Sequence, residues 1–280
     1  MQKDQLLTRR GLLLAGAAVL GAAGAAGLLA SGTDEESVRA AAPPLAGGPQ
    51  ARAALKPSAY RLQPLTGDGP PRARPGKVAV RDEPILEMPG RGRVMVLTFD
   101  DGPDPRYTPD ILDTLDEYGV RAMFFVCGEM AVDNKELLAR MADVGHIVGN
   151  HTWTHPLLTQ LDRGEIRSEM VRTSDVIEDA YGEPPRWFRA PYGAWNRAAF
   201  QLGAEMGMEP LAWTVDSLDW TTPGTRTIID RIEHGAAPGV VVLSHDAGGD
   251  RSQSVRALRQ YLPYLLDSGY HITVPRRRTT

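Results

Sequence analysis

The sequence predicts an α/β domain on a parallel sheet, preceded by a long N-terminal extension. Two observations carry this. Beyond Gly92, short apolar runs alternate with amphipathic stretches at the spacing of βα units. Short polar clusters then fall at or just past the C-terminal ends of the predicted strands: Thr98-Phe99-Asp100-Asp101-Gly102-Pro103, His151-Thr152-Trp153-Thr154-His155, Arg189-Ala190-Pro191-Tyr192-Gly193, Asp216-Ser217-Leu218-Asp219-Trp220 and Leu243-Ser244-His245-Asp246. Clusters placed by chance would fall at both ends of the strands. Periodicity alone does not separate a doubly wound sheet from a barrel, but a shared C-terminal end favours the barrel, where several βα loops assemble one site.

At 280 residues the chain has room for one large domain and an extension. A net charge of −4 with mixed signs argues against a nucleic-acid binder, which would usually show a basic face or stripe. Cys127 is the only cysteine, so no internal disulfide can form. It ends the apolar run Met123-Phe124-Phe125-Val126 and reads as a buried, inert thiol.

Residues 1–32 join a polar start carrying Lys3, Arg9 and Arg10 to an uncharged stretch from Gly11 to Ala30, the build of an export signal. Thr8-Arg9-Arg10-Gly11-Leu12-Leu13 resembles a twin-arginine signal, without the lysine that often follows the apolar pair. It implies the twin-arginine export machinery as a partner and an extracellular or cell-envelope destination. The same stretch, about 20 uncharged residues, could span a bilayer as an uncleaved membrane anchor. Ala23-Gly24-Ala25 and Val38-Arg39-Ala40 both offer cleavage ends. Residues 33–92, rich in Pro, Ala, Gly and Arg, read as a linker or arm, with a short strand near Lys77-Val78-Ala79-Val80 that could pack onto the folded domain.

That domain is expected over residues 93–276. Apolar runs place strands near Val94–Phe99, Ala122–Val126, His146–Asn150, Trp187–Arg189, Leu211–Val215, Gly239–Ser244 and Tyr270–Val274. Helical stretches fall between them: Thr108–Tyr118, Asn134–Ala142, Arg163–Tyr181, Asn196–Met206, Thr225–His234 and Gln253–Ser268.

His151 and His155 are four apart, so one helical turn would put both imidazoles on one face, with Asp101 adding a hard oxygen. Such a two-histidine, one-carboxylate set leaves positions for water and substrate. Zinc suits these borderline nitrogen ligands, with cobalt or another divalent ion as the alternative. Asp100 and Asp101 would point to opposite faces of a continuous strand, so both reach one site only if the strand ends there; Gly102-Pro103 supplies that break.

The types and order of the clusters resemble the motifs of the polysaccharide deacetylase family, the carbohydrate esterases (family 4) built on the NodB homology domain. The resemblance covers roughly Arg93 to Pro275. It implies a distorted, incomplete (β/α) TIM-like barrel of about seven parallel strands. It also implies a monomeric, metal-dependent hydrolase that removes N-acetyl groups from N-acetylglucosamine residues of a peptidoglycan- or chitin-type polymer or oligomer, releasing acetate. An O-deacetylase of acetylated xylan is the alternative within the family. A sugar-binding member without activity would have no use for Asp100, Asp101, His151, His155 and His245 together, and the Arg189 and Asp219 partners favour hydrolysis over an iron oxygenase.

Amide hydrolysis needs an activated water, a place for the oxyanion and a proton for the departing amine. By resemblance Asp100 is the base and His245 the acid. Arg189 would pair with Asp100, and Asp219 with His245 to favour the imidazolium. The backbone N–H of Tyr192 would help hold the oxyanion, and Trp220 and Leu243 match positions that line the acetyl methyl's pocket. Asp216 reads as a loop-shaping carboxylate. Trp153 and Trp195 could stack on sugars, whereas Trp187 and Trp213 read as packing. His146, His234 and His271 read as structural or solvated.

Overall fold

The computed structural model describes residues 78–88 and 92–275. The export signal, its cleavage ends, the membrane anchor and most of the arm lie outside the described residues. Among the described residues, no helix is long and apolar enough to cross a membrane.

The strands are β1 (Val94–Asp100), β2 (Met123–Val126), β3 (Ile147–Asn150), β4 (Trp187–Phe188), β5 (Glu209–Pro210), β6 (Val215–Asp216), β7 (Val241–His245) and β8 (His271–Ile272). They run β5-β4-β3-β2-β1-β7-β6, with β8 beside the start of β1, and every pairing is parallel. β5 and β6 are the two ends of this path, which makes the barrel incomplete, as expected. The helices are α1 (Thr108–Glu117), α2 (Gly128–Asp133), α3 (Lys135–Val144), α4 (Arg163–Tyr181), α5 (Arg197–Glu205), α6 (Thr225–Gly235) and α7 (Ser252–Asp267).

The two-residue period of a strand sorts side chains between two cores. On β1, Met95, Leu97 and Phe99 join the larger apolar cluster with residues of α1, α3, α6 and α7, whereas Val96 joins the smaller cluster with Met123, Phe125 and Val241. Thr98 and Asp100 share the parity of Val96, so the same alternation that buries β1 carries a carboxylate to its end on the inner side. On β7, Leu243 and His245 share the parity of Val241. Asp100 and His245 are register partners across β1 and β7. At α4, Asp162 forms a capping box with Glu165, which satisfies two otherwise free backbone N–H groups and fixes the start of the longest helix.

Two expectations are corrected. The single strand at Leu211–Val215 is instead two short ones, β5 and β6, at opposite ends of the sheet, because Leu211–Thr214 cross the gap between them. The backbone there serves other partners: the Leu211 and Ala212 carbonyls accept from the Arg189 guanidinium. The arm strand near Val78–Val80 does not form either. Val80 is exposed, and it is Ile85 that pairs with Leu211, its N–H donating to the Pro210 carbonyl and its carbonyl accepting from Ala212. The Met88 N–H donates to Gly239, so Ile85–Met88 reach from the β5 end to the start of β7. The short helix α2 had no periodic signal in the sequence.

Candidate active site

β1 ends where the site begins. Asp101 has φ 76°, a left-handed conformation that swings its carboxylate out of the strand's alternation and onto the side where Asp100 points. Asp100 is almost fully buried and sits against Arg189, itself without solvent exposure. The guanidinium donates to Asp100 Oδ1 (2.6 Å), to the Thr98 hydroxyl (2.8 Å) and to the carbonyls of Leu211 (3.1 Å) and Ala212 (2.9 Å), and it stacks over the Phe125 ring at 4.1 Å. Each of its polar contacts is internal, which is the condition for a buried charge to be tolerated. Burial raises the Asp100 carboxyl above its ordinary value, and the Arg189 charge holds it part of the way back. The result is a carboxylate more basic than one in water.

His151 and His155 do converge on Asp101, but not on a helical turn. Residues 151–155 form an irregular loop in which Thr152 (φ 69°) and His155 (φ 56°) are left-handed. The loop's backbone groups are satisfied from outside it. The Thr152 N–H donates to Asn150 Oδ1, the Thr152 and Trp153 carbonyls accept from Gly128 and Glu129, and the Trp153 and Thr154 N–H groups donate to Glu169. With those groups spoken for, no helical ladder forms.

Asp101 Oδ1 lies 3.5 Å from His151 Nε2 and 3.4 Å from His155 Nε2. It is buried and has no hydrogen-bond partner. His151 Nδ1 lies 2.8 Å from the Arg189 carbonyl, which can only accept, so Nδ1 carries the proton. Burial pushes this imidazole down to about 3, helped by His155, so it is neutral. Its Nε2 lone pair therefore faces a carboxylate oxygen with no proton between them, an arrangement a cation would relieve. A tetrahedral ion with ligands at about 2.0–2.1 Å would separate those ligand atoms by about 3.4 Å. The donor set and its spacing fit a divalent metal, and the hydrogen bond from the other imidazole nitrogen to a carbonyl is how metal-binding histidines are usually oriented.

On the opposite side, His245 Nδ1 lies 2.7 Å from Asp219 Oδ1. Asp219 Oδ2 accepts from the Ser254 hydroxyl (2.6 Å) and the His245 N–H (2.9 Å), which fixes the carboxylate on both sides. Burial alone would strip the His245 proton, but the hydrogen bond and charge of Asp219 push its pKa up to about 9. Burial would likewise raise the Asp219 carboxyl, and the hydrogen bonds from His245 and Ser254 hold it below its ordinary value. The site thus pairs a raised carboxyl, Asp100, with a protonated imidazole, His245.

Tyr192 is left-handed (φ 61°), and its exposed ring meets His155 edge-on at 4.5 Å. Leu243 is buried two residues before His245, whereas Trp220, on the turn that carries Asp219, is 51% exposed. Asp216 accepts from the Leu218 N–H, a loop-shaping contact. Trp187 and Trp213 pack against the inner cluster. Trp195 stacks on Phe200 and Trp153 carries Arg172 over its ring at 4.0 Å, so both are engaged within the protein. His146 is buried, accepting from the Ala122 N–H, and His234 and His271 are exposed.

Several contributors were given no role from the sequence. Asp246 accepts from the Gly102 N–H (3.1 Å) and the Thr108 hydroxyl (2.6 Å), and burial, reinforced by the Asp101 and Asp100 charges, pushes it up to about 7. Arg251 is buried and donates to the Ala247 and Gly248 carbonyls, shaping a loop that presses on Asp101. A Cβ at Gly248 (φ 74°) would stand 2.5 Å from Asp101 Oδ2, so only glycine fits. Asp246 stood beside His245 in its cluster, and Arg251 and Ser254 lie within a few residues of it, the sequence signal that could have found them.

Comparison with known proteins bears on the family and the fold. The polysaccharide deacetylase family matches residues 87–211. A chitooligosaccharide deacetylase from Bradyrhizobium is 40% identical over 192 residues, covering 64% of this chain and 88% of its own. The crystal structure of the Bc1960 peptidoglycan N-acetylglucosamine deacetylase superposes with a TM-score of 0.65 at 34% identity, covering 68% of this chain and 89% of that one. BA3943 from Bacillus anthracis, a pseudoenzyme of carbohydrate esterase family 4, superposes at 0.64 with 28% identity, covering 70% and 68%.

Proposed function

Because this chain belongs to the polysaccharide deacetylase family, we propose that it hydrolyses the N-acetyl groups of N-acetylglucosamine residues in a peptidoglycan- or chitin-type polymer or oligomer, with a divalent ion in the site. The observation that carries the reading is the bare Nε2 of His151 facing the unpartnered Oδ1 of Asp101, on the same interior as a raised carboxyl and a protonated imidazole. A binding surface would need none of these. Zinc is the favoured ion, with cobalt the alternative.

Asp101, His151 and His155 would hold the ion. When bound it supplies a polarised water and a Lewis acid for the acyl oxygen. Asp100 takes the proton of the attacking water, its raised pKa making it a competent base, while Arg189 fixes its rotamer. The Tyr192 N–H adds a donor for the oxyanion. His245 gives its proton to the nitrogen as the C–N bond breaks, so the sugar leaves as an amine and the acyl group as acetate. Asp219 holds the His245 ring in place and keeps it charged until that step. Leu243 offers an apolar wall for the acetyl methyl, and Trp220 a partly exposed face at the rim. Residues 1–32 would direct the protein through the twin-arginine machinery to the cell envelope or beyond, cleaved or retained as an anchor. Residues 33–92 would form the tether between this segment and the deacetylase domain of residues 93–276, its end docked on that domain through Ile85–Met88.

The test is acetate release from N-acetylated chitooligosaccharides and from peptidoglycan, with protein first chelated and then reloaded with zinc or cobalt. Release that returns with metal and disappears in Asp100→Asn is expected. Loaded protein that cleaves neither, but releases acetate from acetylated xylan, would refute the amide reading in favour of the ester.

A further inference from the structure

The two imidazoles that converge on Asp101 hang from a loop that is not itself helical. Its conformation depends on what binds its backbone. The carbonyl side of the loop is held by the first N–H groups of α2, Gly128 to Thr152 (2.9 Å) and Glu129 to Trp153 (3.2 Å). On the N–H side, Asn150 takes the Thr152 N–H, and the two amides between the histidines are held by one side chain. Glu169, on the second turn of α4, accepts from the Trp153 N–H and the Thr154 N–H through Oε2, both at 2.8 Å, and from the Thr154 hydroxyl through Oε1 at 3.1 Å. Consecutive N–H groups converging on one oxygen require a tightly turned backbone. The left-handed residues Thr152 and His155 flank that point on either side. Non-glycine residues adopt this conformation only when surrounding contacts enforce it. α4 is itself anchored by its capping box and packs against α2, so Glu169 is presented from a rigid element.

From this we infer that Glu169 is the positioning residue of the metal site: it sets the separation and facing of His151 and His155 by clamping the two amides between them, without touching metal or substrate. The inference rests on the proposed function, because it assigns Glu169 a role toward the ion that Asp101, His151 and His155 would hold. It acts through hydrogen-bond geometry rather than charge, so shape-preserving and charge-preserving substitutions separate. In Glu169→Gln the amide oxygen still accepts both N–H groups, and its NH2 can donate to the Thr154 hydroxyl, which both gives and accepts. In Glu169→Asp the charge remains but the shorter side chain withdraws the oxygens from the loop. Glu169→Ala removes both.

The experiment is cobalt(II) chloride titration of chelated full-length protein, followed by its visible absorption and by zinc competition against a chromophoric chelator. Far-UV circular dichroism of the metal-free forms checks the fold. Glu169→Ala and Glu169→Asp are expected to bind cobalt about 10–100-fold more weakly than wild type, with an altered visible band, as for other groups that orient metal ligands. Glu169→Gln is expected within about threefold of wild type, with the wild-type band. If Glu169→Ala does not fold, the folded Gln and Asp variants carry the comparison. Wild-type affinity in Glu169→Asp, or a Gln variant as weak as Asp, overturns the inference while leaving the proposed function standing. Wild-type protein that takes up no cobalt or zinc overturns the metal reading and this inference with it.

Discussion

Replacing Asp219 with asparagine gives the sharpest test of how the site holds its acid. In the wild type, burial favours the neutral imidazole of His245, and Asp219 overrides it, raising the pKa from the ordinary 6.5 to about 9. That difference corresponds to on the order of 3 kcal/mol between the protonated and neutral forms. Asparagine preserves the shape and can hold the ring, but it removes the charge, and with burial opposed only by the Asp100 and Asp101 charges the pKa returns to about 6.5. For a step that needs the imidazolium, the wild type would keep about three quarters of its acid form at pH 8.5, and the variant about one hundredth. At pH 6 both remain mostly protonated. The ratio of wild-type to Asp219→Asn kcat/KM is therefore expected to grow from near its pH-independent value at pH 6 to about 80-fold above it at pH 8.5. Zinc-loaded protein and N-acetylated chitooligosaccharide, assayed for acetate across this range, give the profile. Stability offers a check without turnover. A raised folded-state pKa means the pair stabilises fully below about pH 6.5 and loses that contribution as the pH rises through about 9, and in Asp219→Asn this pH dependence should vanish. Parallel profiles for the two proteins would refute the reasoning, leaving Asp219 as a spacer rather than the source of the charge.

Other perturbations probe the remaining walls of the site. Arg189→Met strands the buried Asp100 and the Leu211 and Ala212 carbonyls, so urea unfolding is expected to show a loss of about 3–5 kcal/mol. In whatever fraction stays active, the acid limb of the rate profile should move to higher pH, because burial of Asp100 is then uncompensated. Gly248→Ala forces a methyl against Asp101 at a left-handed position, and cobalt titration is expected to show at least tenfold weaker binding with the fold retained. Chelation should lower the melting temperature, since a metal present at about 1,000 times its Kd contributes about 4 kcal/mol, and in Asp101→Asn the melting temperature should no longer respond to added zinc.

The path from sequence to site was most legible where chemistry and local period coincided. The run Val94–Asp100 had to be a strand, and its alternation put Thr98 and Asp100 on the inner face while Gly102-Pro103 ended it. His245 followed from the same logic on β7, and its register with Asp100 is a property of parallel neighbours. α4 was legible end to end, its bounds Arg163–Tyr181 being those the periodicity gave. The spacing of His151 and His155 was informative about which side chains meet Asp101 but misleading about the backbone. Four residues suggest a helical turn, and the structure brings the two rings together through left-handed residues, because Asn150, α2 and Glu169 take the hydrogen bonds a helix would have used.

The break at Leu211–Val215 has the same origin. Locally these residues are good strand formers, and nothing in their own composition says that their carbonyls will serve the arginine that follows β4. Ile85 likewise finds its partners in β5 and beyond, more than 120 residues away.

What the sequence by itself determined was the inventory and its order: the parallel α/β class, which strands end in acids, histidines and arginine, and which family those clusters resemble. Such features follow from nearest-neighbour geometry, the two-residue period of strands and the 3.6-residue period of helices. Tertiary structure alone decided how the groups are charged and aimed. The neutral His151, the protonated His245 and the raised Asp100 each depend on burial and on a partner distant in the chain. Solvent exclusion and charge interactions act through space, and the loop that carries the histidines is shaped by a glutamate on a helix it does not belong to.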